Sequence, residues 1–236
     1  MKLHILGCNG PYPPANGATS GYLLETETAG SILLDCGSGV LGRLLALCDP
    51  ANLSCVMLSH LHFDHMADML VLQYYLELTG KKLTVYVPPE DDSPQLTLLR
   101  PSVFDIRPYP ETLKMGGLTV TTMPVRHPVP CRALRFKENG KTFVFTGDTN
   151  TCDGLAGFAK GADVLMADTA FLQSEWNDGK PHLCAALGAE LAQAAGAKRL
   201  LLTHLPVRHA PETLENEARA VFPGAQTVHP GMKVTI

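Results

Sequence analysis

The sequence predicts an α/β protein with helices layered outside packed sheets. Three observations carry that prediction. Short apolar runs recur along the whole chain, from KLHIL and GYLLET near the start to DVLMAD and RLLLTH near the end. Segments of helical periodicity fall between some of them. Many runs also end in Asp, Ser, His or Gly, so polar chemistry sits where the backbone leaves a core.

Taken in order, the strand candidates are KLHIL, GYLLET, SILLD, CVMLS, LTVYV, LTVTTMPV, ALRF, KTFVFTGD, DVLMAD and RLLLTH. Early strands follow one another directly, whereas later ones alternate with helices. Helices are expected over residues 39–48, 65–79, 183–195 and 211–221. Gly196 closes the third as a C-terminal cap and Pro211 opens the fourth. PPEDDSPQ, residues 88–95, reads as a polar surface turn. With no low-complexity linker, no solenoid-length repeat and no compositional break, residues 1–236 read as a single domain.

Composition bounds the function. A chain of 236 residues is long enough to bury a substantial core, and 45% hydrophobic with 18% charged residues is ordinary for a soluble protein. A net charge of -4 argues against a protein dominated by nonspecific nucleic-acid binding. No apolar run reaches the roughly 18 residues of a membrane span. The opening MKLHILGCNGPYPP is too short for a signal-peptide core and reads as a first strand ending in a turn. The seven cysteines are odd in number, scattered and without a CxxC pair. Reduced thiols and a cytoplasmic location are therefore expected.

The segment SHLHFDHMADM stands between a strand pattern and a helical one. On extended backbone, residues two apart point the same way, so His60 and His62 can grip one ion. Asp64 and His65, where the chain turns into the helix, are placed for a second. Three imidazoles and a carboxylate this close would repel when protonated and have little structural use. Further ligands must come from distant strand ends. His127 in VRHPVP, Asp148 in TGDT and His204 in the late TH each terminate an apolar run. His4, His209 and His229 read as ordinary strand or loop residues. Asp68, one turn after Asp64, either orients a ligand or faces solvent.

The order SHLHFDH, VRHP, TGDT and TH resembles the metal motifs of the metallo-β-lactamase superfamily, over nearly the whole chain from LLDCGSG to LLLTH. The resemblance implies an αββα sandwich, two mixed β-sheets flanked by helices, with metals in the groove between the sheets. It implies His60, His62 and His127 on one ion, Asp64, His65 and His204 on the other, and Asp148 bridging them. Asp35 in LLDCGSG matches an aspartate that usually supports such a site without binding metal. Two divalent ions are implied, zinc by default, with manganese or iron as alternatives.

An aspartate rather than a cysteine at position 148 counts against an antibiotic-degrading β-lactamase. His182, at a helix start in KPHLCAALGAELAQAAG, resembles a histidine of the ribonuclease Z and related phosphodiesterase branch that assists phosphodiester cleavage. The branch implies a metal-bridging hydroxide held in line by Asp64 and a proton delivered to the leaving alkoxide by His182; Asp168 in LMADTAF falls where the branch carries an acidic residue and either orients His182 or caps the following turn. Ser20, in a glycine-rich run, is a candidate phosphate contact. Some features depart from the branch. Only twenty residues separate His127 from Asp148, too few for the long arm with which ribonuclease Z holds tRNA. Phe63 replaces the glycine of HxHGDH and would narrow the mouth, and no hydroxyl residue follows His182. The expected substrate is therefore a small phosphodiester, a cyclic nucleotide or short oligonucleotide, and not tRNA. A lactone or thioester hydrolase on the same site and a non-catalytic metal-containing binder are the alternatives. The branch also implies a homodimer, with no interface legible in the sequence.

Overall fold

A computed structural model describes residues Met1–Ile236. The strands are β1 (Lys2–Gly7), β2 (Gly21–Glu25), β3 (Ser31–Cys36), β4 (Cys55–Met57), β5 (Leu83–Val87), β6 (Phe104–Pro108) and β7 (Thr112–Met115) in the first part of the chain. They continue as β8 (Leu118–Pro124), β9 (Arg132–Glu138), β10 (Lys141–Phe145), β11 (Val164–Asp168), β12 (Leu200–Thr203), β13 (Ala225–Thr227) and β14 (Lys233–Thr235). They form two 7-stranded mixed sheets, ordered β14-β1-β2-β3-β4-β5-β6 and β13-β12-β11-β10-β9-β8-β7. The first is antiparallel from β14 through β3 and parallel from β3 through β6. The second repeats that plan, antiparallel from β7 through β10 and parallel from β10 through β13.

The alternation of strand side chains builds three apolar layers. On β3, Ile32 and Leu34 join the core between the sheets, while Leu33 and Cys36 face the helices outside. Helices α1 (Val40–Leu45), α2 (Phe63–Met66) and α3 (Met69–Thr79) cover the first sheet. Helices α4 (Leu155–Phe158), α5 (Ala185–Ala195) and α6 (Pro211–Arg219) flank the second. This is the αββα sandwich that the sequence leads one to expect. Gly196 ends α5 with a φ of 62°, in the left-handed region that favours glycine.

Two expectations change. The helix expected over residues 65–79 is broken, because the Asp68 amide leaves the helical ladder to donate to the Cys36 carbonyl at 3.0 Å. Four strands were not anticipated: β6, β7, β13 and β14. All four are the outermost strands of their sheets. Edge strands are short and polar on their open side, so they lack the apolar run that marks an interior strand. All seven cysteines are unpaired. No helix is long and apolar enough to cross a membrane.

A buried carboxylate staples the sheets at the end remote from the ligand loops. Glu138, closing β9, accepts from the amides of Glu27 and Thr28 at 3.0 Å each and from Thr28 Oγ1 at 2.7 Å. Burial opposes its ionisation, but these donors outweigh it and hold the carboxyl below the usual range. Replacing Glu138 with Gln is expected to lower the unfolding free energy by about 1–3 kcal/mol at neutral pH. Because the folded-state pKa is depressed, that contribution is present above the unfolded value of about 4.3 and lost as pH falls through the folded value. Urea unfolding of both proteins at neutral and acid pH should show the gap closing on acidification; a gap independent of pH would refute the assignment.

Candidate metal centre

β4 runs out through Leu58 and Ser59, which the second sheet and a neighbouring loop hold in place. The Arg132 amide donates to the Ser59 carbonyl at 3.0 Å, and the buried Tyr109 hydroxyl donates to the Leu58 carbonyl at 3.0 Å. Ser59 itself is a node. Its amide and hydroxyl donate to the two oxygens of Asp35 at 2.7 and 2.9 Å. With its one hydroxyl hydrogen so used, Ser59 Oγ accepts from His60 Nδ1 at 3.1 Å, which leaves His60 Nε2 bare.

That bare nitrogen lies 3.0 Å from His62 Nδ1. From the loop after β8, His127 brings its Nε2 to 3.2 Å from the same His62 nitrogen, while its Nδ1 donates to the Pro181 carbonyl at 3.2 Å. Three ring nitrogens thus converge with at most one hydrogen among them, an arrangement that calls for a cation. A tetrahedral ion held at 2.0–2.1 Å would space such nitrogens about 3.3 Å apart. Burial lowers the pKa values of His60 and His62 and pushes that of His127 down to about 4, so the lone pairs are free at neutral pH.

The second cluster joins Asp64, His65, Asp148 and His204. Asp35 accepts from His65 Nδ1 at 2.8 Å, turning His65 Nε2 inward, where it is buried without a hydrogen-bond partner. Asp148 Oδ2 lies 3.2 Å from that nitrogen, 3.1 Å from His204 Nε2 and 3.7 Å from His60 Nε2, so it touches both clusters. Asp64 Oδ2 is 3.2 Å from His204 Nε2. Burial opposes charge on His65, but the flanking carboxylates of Asp148 and Asp35 outweigh it and hold the imidazole well above its usual range. Asp148 is correspondingly held far below the usual carboxylate range by His204 and His65, against the effect of its burial. The donor set fits a pair of divalent ions, with His60, His62 and His127 for one, Asp64, His65 and His204 for the other, and Asp148 between.

Backbone strain and close approach fix two of these groups. Asp35 and His204 adopt φ values of 54° and 55°, which cost energy in a residue with a Cβ and recur at functional sites. Gly10 packs directly on the His204 ring, and a Cβ there would lie 2.1 Å from its Nε2.

Beside the second cluster, His182 stands just before α5 with Nδ1 2.7 Å from Asp168 Oδ2. Asp168, at the end of β11, is fully buried and also accepts from the Thr149 amide at 2.9 Å. Its other oxygen is 3.7 Å from His204 Nδ1. Burial works against the His182 imidazolium, yet Asp168 prevails and raises its pKa to about 9. The segment carrying His182 is clamped. Trp176 Nε1 donates to the His182 carbonyl at 3.1 Å, Asn150 Nδ2 to the carbonyls of Asp178 and Lys180 at 3.2 and 2.6 Å, and Arg126 to Asp178 at 2.6 Å.

Other expected residues have different places. Asp68 does not orient a ligand: its Oδ2 accepts from the Leu41 amide at 2.8 Å, in the first turn of α1. Ser20 is 1% exposed, and its buried Oγ has no hydrogen-bond partner. Phe63 is 53% exposed on the turn between His62 and Asp64. His4 and His209 pair with Glu25 and Glu175 at 3.0 and 2.9 Å. Sequence reasoning missed Ser59, Gly10, Thr149, Asn150, Arg126 and Trp176. Four of these adjoin ligands in sequence or follow them closely, but they brace other residues rather than the ions, and such contacts leave no motif.

Comparison with known proteins matches residues 31–205 to the β-lactamase superfamily domain. The chain is 35% identical over 232 residues to the probable metallo-hydrolase YhfI of Bacillus subtilis, covering 95% of each. It superimposes on the crystal structure of that protein with a TM-score of 0.93 at 32% identity, covering 99% of this chain and 98% of the other. Ribonuclease BN of Cronobacter sakazakii is 25% identical over 305 residues, with both chains covered in full. The short form of human tRNase Z shares the fold, with a TM-score of 0.79 at 18% identity, covering 100% of this chain and 99% of the other.

Two outcomes are expected. Gly10→Ala should displace His204 and lower the metal retained after loading with zinc, measured by elemental analysis, without loss of the circular dichroism spectrum; metal content equal to that of the parent protein would refute the cradle. Because burial favours the neutral forms of His60, His62 and His127 while Asp148 and Asp35 favour the charged form of His65, the two halves should load differently. The His65 half should release more protons on binding, so its affinity should rise more steeply with pH. Titration calorimetry of metal-free protein in buffers of different ionisation enthalpy reads this directly, and equal proton release for both equivalents would contradict it.

Proposed function

The chain belongs to the β-lactamase superfamily as a metallo-hydrolase, and from its site we propose a phosphodiesterase acting on a small phosphodiester. The observation that carries this reading is the His182–Asp168 pair, 2.7 Å apart beside the second metal cluster. A thioester expels a thiolate that leaves unprotonated, whereas a phosphodiester expels an alkoxide that needs a proton; a lactone does so too, and the likeness to ribonuclease BN favours the phosphodiester over it. His182 is built to supply that proton. Its Nδ1 is committed to Asp168, the carboxylate favours the imidazolium, and the proton on Nε2 is the one available for transfer.

Two divalent ions, zinc by default, would supply Lewis acidity toward the phosphoryl oxygens and an acidified water. The remaining steps fall to side chains. Asp64 accepts a hydrogen bond from the attacking water and holds it in line. Asp35 and Ser59 fix the imidazoles of His65 and His60. The Asn150, Trp176 and Arg126 contacts keep His182 at a set distance from the ligands. The interval between His127 and Asp148 is filled by β9 and β10, with no extension for a tRNA elbow, which favours a cyclic nucleotide or short oligonucleotide. Seven unpaired thiols suit the reducing cytoplasm.

Zinc-loaded protein should hydrolyse bis(p-nitrophenyl) phosphate, and a chelator should abolish turnover. His182→Ala, at equal metal content, should lower kcat by roughly a hundredfold or more on a diester that expels an alkoxide, such as a cyclic nucleotide, and far less on the nitrophenyl diester, whose leaving group needs no proton. Asp168→Asn should lower the His182 pKa and move the alkaline limb of the kcat profile to lower pH. Faster turnover of a lactone or thioester, indifferent to His182, would move the assignment to those esters. Absence of any turnover with both ions bound would favour a binding role.

A further inference from the structure

Outside the metal centre, a cavity of about 560 Å³ opens on the helix side of the first sheet. It exists because α1 is only six residues long and leaves the outer face of β1 beside β14 uncovered. His4 and Leu6, both buried, form its floor. The walls are the loop 14–17, Ala46 and Leu47 after α1, and the turn 230–232. Most of this lining is apolar, and its only ionisable side chains are His4, Arg43 and Lys233. None of the 15 lining residues is acidic, in a chain whose 23 acidic residues outnumber its 19 lysines and arginines.

The positive charge is uncompensated and held in place. The Arg43 guanidinium donates to the carbonyls of Gly39 and Gly17 at 3.0 and 3.2 Å and to that of Asn16, so it is oriented without meeting a carboxylate. Lys233 stands opposite His4 in the β1–β14 register, so both side chains leave the same face. Glu25, on the neighbouring β2, is taken by His4 at 3.0 Å and by Lys2 at 3.8 Å. His4 Nδ1 is left buried without a hydrogen-bond partner. The cavity also reaches the metal centre through one residue. Asn9 lines it, and Asn9 Nδ2 donates to the Leu205 carbonyl at 3.1 Å. Gly10, next in the chain, packs on the His204 ring, and His204 itself keeps a disfavoured φ of 55°.

We propose that this cavity is an effector site for a small amphiphilic monoanion, an apolar chain ending in a carboxylate, whose binding braces the Asn9–Gly10 segment against His204. The apolar walls take the chain, and Arg43 and Lys233 take the carboxylate. A cationic head would meet two uncompensated positive charges, and a neutral one would forgo both. Asn9 is at once a wall of the cavity and the residue that ties Gly10 to the strand end carrying His204, so ligand and metal each favour the loop position that the other needs.

Titration calorimetry of the zinc-loaded full chain with octanoate should show one equivalent bound, and octylammonium should bind more weakly by roughly tenfold or more. Ala46→Trp fills the cavity and Lys233→Glu reverses its charge, both at exposed positions. Each should raise the octanoate Kd by roughly tenfold or more, with circular dichroism and zinc content unchanged. Octanoate should raise zinc affinity, read by competition with a chelator, about fivefold in the parent protein and not in Ala46→Trp. No octanoate binding, equal binding of octylammonium, or binding that survives both variants, as a carboxylate seated on the ions would, overturns the site. Binding that leaves zinc affinity unmoved overturns the coupling to His204. Flotation with phosphatidylglycerol–phosphatidylcholine vesicles that Lys233→Glu abolishes would assign the face to a lipid surface and overturn the soluble ligand.

Discussion

One carboxylate oxygen holds the arrangement together. Asp148 Oδ2 stands within 3.7 Å of ring nitrogens of His60, His65 and His204, and those rings arrive from both sheets. For that to happen, the ends of β4, β10 and β12 must come together across the sandwich. The chain laces them with backbone bonds: Arg132 to Ser59 on one side, and on the other Leu205 N to the Cys8 carbonyl at 2.8 Å and Gly10 N to the Leu205 carbonyl at 3.2 Å. Tyr22 and Thr203 add a buried hydroxyl pair at 2.6 Å. The metal donors hang from the inter-sheet lacing, and the lacing is therefore as much a part of the site as the imidazoles are.

Such a cluster is expensive to bury. Bare imidazole nitrogens face one another, His65 Nε2 has no hydrogen-bond partner, and Asp35 and His204 hold backbone conformations that a side chain disfavours. None of this helps an ion-free chain to fold. All of it makes sense if cations offset the cost, because binding to the folded state alone returns its free energy as stability. The donor geometry is set beforehand by partners that do not themselves bind metal: Ser59, Asp35 and the Pro181 carbonyl each fix one ring.

What the sequence disclosed follows from this division. HxHxDH is legible because the ligands are consecutive, and the distant ones are legible because a polar residue ending an apolar run is conspicuous. The αββα layering is legible because interior strands are apolar on both faces. The edge strands β6, β7, β13 and β14 are not, since one side of each is free and its residues obey no alternation strong enough to read. Asp68 misled because proximity in sequence to a motif says nothing about which backbone amide a side chain will find. Gly10 was legible only as a turn, although its missing side chain is what admits the His204 ring.

The two sheets share a topology but not a task. Asp35 and the four donors from His60 to His65 come from the first sheet and its loops. His127, Asp148 and His204, together with the whole His182 apparatus, come from the second. On the proposed reading, the proton donor could in principle be altered without disturbing the metal grip, since Asp168, Asn150 and Trp176 bind no ion. The Pro181 carbonyl prevents a clean separation. It precedes His182 in the chain and accepts from His127 Nδ1, so the segment that positions the donor also sets the tautomer of a ligand. A shift of that segment would loosen His127 as it moved His182. Substrate change in this scaffold is therefore easier at the exposed Phe63 or the half-buried Lys180 than at the histidine that would do the chemistry.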